Sequence, residues 1–384
     1  MPRILSLSVL MLLLIAFSPA APPVRTVTIV FIAPPESPAA DSVYLAGNLE
    51  QFGSWKADGV LLSHSGRHRW KHKFSIPAGI HIEFKITRGS WESEAVYEKG
   101  VKADNTTADI LHDTTITLRA IAWGNNKPVV VGQITGTVRY HRNLLGEGLK
   151  YPRDLIVWLP PSYGSSPERR FPVLYMHDGQ NIIDPATSTF GYDWRVDEVG
   201  DSLMKAGLLR EMIVVGIYNT PDRMSEYRDT AAGVAYGKFI VGRVKPMIDS
   251  LYRTLPDRKN TAIMGSSLGG LISFLCAWWY PDVFGQAACL STVFLPQYTA
   301  VISTVRSTDV IPNRVRLYLD CGGAGGDETL KPGIDSMRTL LLGRGYADGK
   351  DLVTFFDTTA VHNEKAWAHR LWRPLLFLFP VEKF

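Results

Sequence analysis

Cysteine is scarce, charge is nearly balanced, and long apolar runs are missing after the first twenty residues. Three cysteines occur in 384 residues, Cys276, Cys289 and Cys321. An odd number without regular spacing, set in apolar surroundings, gives neither a disulfide framework nor a zinc motif, so buried free thiols are expected. With 41 basic against 37 acidic residues the formal charge is +4, too small and dispersed to track a phosphate backbone; no nucleic acid partner is expected. His64, His68 and His72 recur at four-residue intervals, but in a β context they do not converge, which leaves a solvated surface and no metal site. No internal repeat or low-complexity tract competes with a globular reading, and no cofactor is called for. The one apolar run, Ile4 to Phe17, follows Arg3 and precedes Ser18-Pro19-Ala20. That is the pattern of a secretory signal peptide over residues 1–20, too short for a stable membrane span, and it predicts a secreted or periplasmic protein. No cysteine lies near the cut, which argues against a lipoprotein.

Residues 22–120 read as β structure. Val27 to Phe31, Ser42 to Ala46, Arg69 to Phe74 and His81 to Ile86 are rich in β-branched and aromatic residues, and turn formers such as Pro34-Pro35, Gly47-Asn48 and Ser65-Gly66 separate them. Short strands at this spacing predict an all-β sandwich. Residues 121–133, with Gly124, Asn125-Asn126 and Pro128, read as a linker. From 134 to 384 the pattern changes to alternation. Apolar runs at Leu155–Leu159, Val173–Met176, Met212–Ile217, Ala262–Met264, Ala287–Leu290, Val315–Leu319 and Leu352–Phe356 alternate with helical stretches at Val196–Ala206, Ala235–Tyr252, Leu268–Trp279 and Gly333–Arg344. Strands alternating with amphipathic helices make a mostly parallel sheet covered on both faces, so the chain is α/β in class, with an α/β-hydrolase fold following the sandwich.

Within that second domain Gly265-Ser266-Ser267-Leu268-Gly269 follows a strand and opens a helix. This is the setting of a nucleophile elbow, with Ser267 exposed at its tip and Ser266 in the wrong register. A serine hydroxyl needs a base, and the base an orienting acid, in the chain order Ser, acid, His. His362 lies in a polar turn after the last strand and is the predicted base; His369 falls within the following helix. The acid comes from DCGGAGGDE, where Asp320, Asp327 and Glu328 are all candidates and Asp327 is favoured. The oxyanion of a tetrahedral intermediate needs two backbone N–H groups. Leu268 supplies one, and Gln180, in the loop His177–Asn181 after a strand, the other.

Two resemblances sharpen these expectations. VYLAGNLEQFGSW, followed by PAGIHIEFKITRGSW, resembles the family 20 starch-binding modules. That resemblance implies a sugar site at Trp55, Lys85 and Trp91, where indole faces stack on the apolar C–H face of a sugar ring; Trp70, at an inward strand position, reads as core. LPPSY, FPVLYMHDGQN, WRVDE, VGIYNTPDRMSEY, GSSLGG and HNEKAW resemble the esterase D family, which includes feruloyl and acetyl-xylan esterases, ferric-enterobactin esterases and mycolyltransferases. By that resemblance the triad serine and histidine fall on Ser267 and His362, the oxyanion donors on Gln180 and Leu268, and Arg223, Glu226 and Tyr227 brace a loop beside the site. The acid loop here is longer than usual by two glycines, which keeps Glu328 open beside Asp327. The combined expectation is a secreted serine esterase acting on a polysaccharide or acylated carbohydrate through an acyl-enzyme, with the module raising local substrate concentration. Hydrolysis of a siderophore or other small ester, and a non-catalytic glycan-binding protein, are the alternatives.

Overall fold

The computed structural model describes residues 22–35, 37–38, 41–97, 105–124, 134–189, 191–308 and 314–381. The signal sequence expected over 1–20 and residues 125–133 of the expected linker lie outside them.

The N-terminal domain is the expected sandwich. One sheet runs in the order Ser63–Gly66, Arg69–Pro77, Val24–Ile32, Thr114–Arg119, and the other Val60–Leu61, Tyr44–Gly47, Ile80–Thr87, Thr106–Ile110. The two-residue period of a strand sends alternate side chains to opposite faces. On Ile80–Thr87 it turns Ile82, Phe84 and Ile86 into the core and leaves His81, Glu83 and Lys85 facing outward. Trp70 is buried with Phe31, Phe74 and Phe84, as its position predicts. The domain runs past the expected boundary at 120. Ala122–Trp123 pairs with Ala95–Val96, and the Trp123 indole sits in the sandwich core with its N–H donated to Ser37 Oγ at 2.8 Å. Neighbouring glycine, asparagine and proline disguise this aromatic as linker.

The second domain is built on eight strands: β1 (Thr137–Leu144), β2 (Arg153–Leu159), β3 (Val173–His177), β4 (Ile213–Ile217), β5 (Thr261–Ser266), β6 (Gln286–Leu290), β7 (Arg316–Gly322) and β8 (Leu352–Asp357). They lie in the order β1-β2-β4-β3-β5-β6-β7-β8. β1 and β2 are antiparallel to their neighbours and the rest are parallel. The central strands are buried on both faces, which is why they read as unbroken apolar runs. Separate clusters, one around Leu271, Phe274 and Phe294 and one around Trp158, Trp194 and Leu375, cover the two sides. β1 left no such signal because it is a largely exposed edge strand with Arg139, His141 and Arg142 along it. The single helix expected over Ala235–Tyr252 is instead Ala231–Phe239, a π-helical turn Ile240–Val244 and Lys245–Leu251. Pro246, which lacks an N–H and crowds the carbonyl four residues earlier, accounts for the widened turn. Cys276, Cys289 and Cys321 are free and buried. Among the described residues no helix is long and apolar enough to cross a membrane.

Candidate active site

β5 ends in a turn that few residue types tolerate. Ser267 has φ 57° and ψ −122°, a conformation costly for a residue with a side chain and held only where the surroundings enforce it. Two features enforce it. The Ser267 N–H donates to Leu290 O of β6 at 2.9 Å, and β5 passes so near the following helix that a Cβ on Gly265 would come within 2.6 Å of the Gly269 backbone. Ser267 is half-buried and Ser266 is buried at the strand end. Leu268 is the first residue of the helix Leu268–Trp279, so its N–H has no acceptor within that helix and lies at the positive end of the helix dipole.

The loop after β3 is the second wall. Asp178 takes a left-handed φ of 56° and opens a 3-10 turn, Gly179–Asn181, whose first bond runs from Asn181 N–H to Asp178 O. The Gln180 N–H precedes that bond and is not used by it. A partly buried network fixes the turn. Arg223 donates to Asp178 through Nε at 2.7 Å and Nη2 at 2.8 Å, Asn219 Nδ2 donates at 2.6 Å, and the Asp178 N–H reaches Tyr227 Oη. Burial pushes the Asp178 carboxyl up, but the Arg223 charge and these hydrogen bonds outweigh it and hold the group ionised. Glu226 pairs bidentately with buried Arg153 at 2.7 and 3.0 Å. Arg223, Glu226 and Tyr227 thus brace the loop. His177 is buried against Tyr236 Oη at 2.9 Å, and burial pulls its imidazole down to about 3, so it stays neutral and structural.

Among the acid candidates the structure separates three fates. Asp320, at the end of β7, is buried and clamped by Arg370 through Nε at 3.0 Å and Nη2 at 3.1 Å. Glu328 is exposed. Asp327 is fully buried, and its Oδ1 lies 2.8 Å from His362 Nδ1. Its Oδ2 accepts from Ser291 Oγ at 2.7 Å and from the Gly322 N–H at 2.5 Å. The two extra glycines make this bend possible: Gly325 and Gly326 both have left-handed φ, 58° and 88°. Burial raises the Asp327 pKa, and the hydrogen bond and charge of His362 outweigh it, leaving the carboxyl below its ordinary value. Burial lowers the His362 pKa, and the Asp327 hydrogen bond and charge, with Glu83 and Glu364 behind them, bring it above its ordinary value. Because the carboxylate only accepts, Nδ1 carries the proton and Nε2 is left free to take another. The ring is partly exposed, at 23%, and packs edge-on against Trp367 with centroids 5.1 Å apart. His369 is exposed on the next helix.

Sequence reasoning missed the support behind the acid. Ser291 Oγ donates to Asp327 and accepts from Trp367 Nε1 at 2.9 Å and Arg370 Nη2 at 2.8 Å. Trp367 and Arg370 lie three apart on the helix Glu364–Arg370, and that spacing behind His362 was the available signal. Glu364, the first residue of the same helix after its Asn363 cap, is buried and pushed up to about 7 by its burial. Of the sugar-site residues, Trp55 and Trp91 are half-buried, and Lys85 Nζ lies 2.8 Å from Glu94 Oε1 with its side chain 11% exposed. Elsewhere Asp193, Asp197 and Glu198 bring carboxylate oxygens within 4.8 Å of one another at a helix start, where the field of the helix favours negative side chains.

Eight strands in this order, with an elbow after the fifth and an acid and a histidine on the loops after the seventh and eighth, define an α/β hydrolase. Residues 146–378 match the model of the esterase family, described as "Putative esterase", and residues 26–117 match that of a starch binding domain. The chain belongs to that esterase family and is a carboxylic ester hydrolase with an N-terminal carbohydrate-binding module. It is 23% identical over 246 residues to the uncharacterised protein YbbA of Bacillus subtilis, covering 59% of this chain and 92% of that one. It is 24% identical over 187 residues to an endo-1,4-beta-xylanase/feruloyl esterase of Xylanibacter ruminicola, 47% of this chain but only 24% of that protein. Among solved structures, a ferulic acid esterase superposes with TM-score 0.54 at 22% identity, covering 64% of this chain and 98% of that one. An enterobactin esterase of Shigella flexneri gives 0.55 at 14% identity, covering 91% and 92%. These structural likenesses speak for the fold.

Proposed function

We propose that the chain is a secreted or periplasmic serine esterase that hydrolyses acyl esters on a carbohydrate, with Ser267 as nucleophile, His362 as base and Asp327 as the orienting acid. The reading is carried by the 2.8 Å Asp327–His362 hydrogen bond at the same sheet edge as the strained Ser267 elbow. In the reaction Ser267 Oγ attacks the ester carbonyl carbon while His362 Nε2 takes its proton. The Leu268 and Gln180 N–H groups donate to the oxyanion. As the intermediate collapses, the C–O bond to the sugar breaks and His362 returns the proton to the departing alcohol oxygen. Water, deprotonated by the same imidazole, then attacks the acyl carbon, the bond to Ser267 Oγ breaks, and His362 returns the proton to that oxygen as the acid leaves.

The carbohydrate half of this reading rests on the starch binding domain match and on the ferulic acid esterase and xylanase/feruloyl esterase among the relatives. One observation favours a second reading, hydrolysis of a small siderophore ester: the enterobactin esterase structures align over both domains, whereas the ferulic acid esterase aligns over one. A panel of an acetylated xylo-oligosaccharide, a feruloylated arabinose and a tris-catecholate serine triester separates the two. A carbohydrate ester is expected to exceed the catecholate ester in kcat/KM by about tenfold or more. The reverse order selects the siderophore reading.

A further inference from the structure

The outward face of the module and the loops that carry the candidate triad are in contact. Glu83 shares its strand face with Lys85, the lysine that the starch-binding resemblance marks. Its Oε1 lies so close to Gly326, the residue before Asp327, that a Cβ on that glycine would collide with it. Asn105 Nδ2 holds the other oxygen at 2.9 Å, and the Glu83 N–H donates to Asn48 Oδ1 at 3.0 Å, so the side chain is fixed from below. Trp55 lies beside the hydroxyl of Tyr298, on the loop after β6, and that loop is anchored by Arg228 Nε, which donates to Tyr298 O at 2.7 Å. From the same face Glu83 acts electrostatically on Tyr298 and His362, and Lys85 on Glu364. One face of the module therefore meets the loop after β7 at Gly326 and lies within electrostatic reach of the loops after β6 and β8.

A free sugar platform offers its polar groups to a passing polysaccharide. Here the Lys85 ammonium is committed to Glu94, and Trp55 lies beside Tyr298. What remains on this face is the Trp55 indole surface, suited to the C–H face of a sugar ring, and the Glu83 carboxylate. An ionised carboxylate only accepts hydrogen bonds, so it matches sugar hydroxyl donors and repels a second carboxylate. Taking the esterase reading of Ser267 as its basis, we propose that this face is a wall of the esterase site itself. The sugar of a neutral acylated carbohydrate sits against Trp55 and Glu83 while its ester lies at Ser267. The module then selects substrate at the point of reaction, and the tethering role expected of it falls away.

The test compares, for the full chain and its Glu83→Gln and Trp55→Ala variants, kcat/KM on an acetylated xylo-oligosaccharide divided by kcat/KM on p-nitrophenyl acetate. Taking the ratio on one sample cancels any loss of folded enzyme. A loss of one charge-assisted hydrogen bond and of one stacking surface predicts ratios lower by about fivefold in Glu83→Gln and about tenfold in Trp55→Ala, mainly through KM. Ratios unchanged in both variants overturn the proposal. So does retention of the full chain on insoluble starch that Trp55→Ala abolishes without moving the ratio, since that face would then be a free platform. A wild type that turns over neither ester removes the underlying esterase reading, and this is recognised before any variant is compared.

Discussion

Ser267→Ala is expected to lower kcat on p-nitrophenyl acetate by about 10⁴-fold or more, with the melting temperature close to that of the wild type. The substitution removes one oxygen and leaves the scaffold intact: the residue 267 N–H still donates to Leu290 O, and Gly265 and Gly269 still close the turn. The residual rate would come from the Leu268 and Gln180 N–H groups and from substrate binding. Ser266 is the control. It is buried at the end of β5, and Ser266→Ala is expected to change kcat by less than about threefold. A reversal of the two effects would move the nucleophile by one residue and discard the elbow geometry. Steady-state kinetics with melting curves on both variants decide it.

The second large effect concerns the acid. Asp327→Asn is expected to lower kcat/KM by about 10³- to 10⁴-fold, and Glu328→Gln by less than about twofold. The buried Asp327 carboxylate accepts from three donors: His362 Nδ1, Ser291 Oγ and the Gly322 N–H. An amide has one accepting oxygen. If that oxygen serves Ser291 and Gly322, the amide N–H₂ faces His362 and forces the wrong tautomer; if it serves His362, two buried donors lose their acceptor. The pH profile adds a sign. Activity requires neutral His362, so the acid limb follows its pKa, which the Asp327 hydrogen bond and charge raise against burial. With that influence gone and burial remaining, the acid limb of the residual activity should move to lower pH. Movement to higher pH would mean that another group orients the ring.

How much of this was legible before the structure depends on whether a feature is written locally. β5, the elbow and the helix Leu268–Trp279 are contiguous, and their apolar runs and small residues state the turn in ten positions. β3, β4 and β6 are legible for the same reason, because strands buried on both faces carry uninterrupted apolar residues. β1 was illegible because an exposed edge strand has no such run. The acid could be narrowed to Asp320, Asp327 and Glu328, but not decided. What separates them is distant partners: Arg370 takes Asp320, solvent takes Glu328, and Ser291 with Gly322 turns Asp327 toward His362. Ser291 and Arg370 are 79 positions apart, and no local pattern joins them. The meeting of Glu83 with Gly326 was invisible for the same reason, since both ends read as ordinary surface until the domains are placed together.

The central claim is that Ser267, activated by His362, forms a covalent intermediate. Peptide mapping by mass spectrometry after reaction with a fluorophosphonate tests it most directly, because the reagent loses fluoride only to an activated hydroxyl. One adduct is predicted, on the oxygen of Ser267, and His362→Ala is predicted to abolish it. An unlabelled protein, or a label on any other residue that survives His362→Ala, would contradict the account.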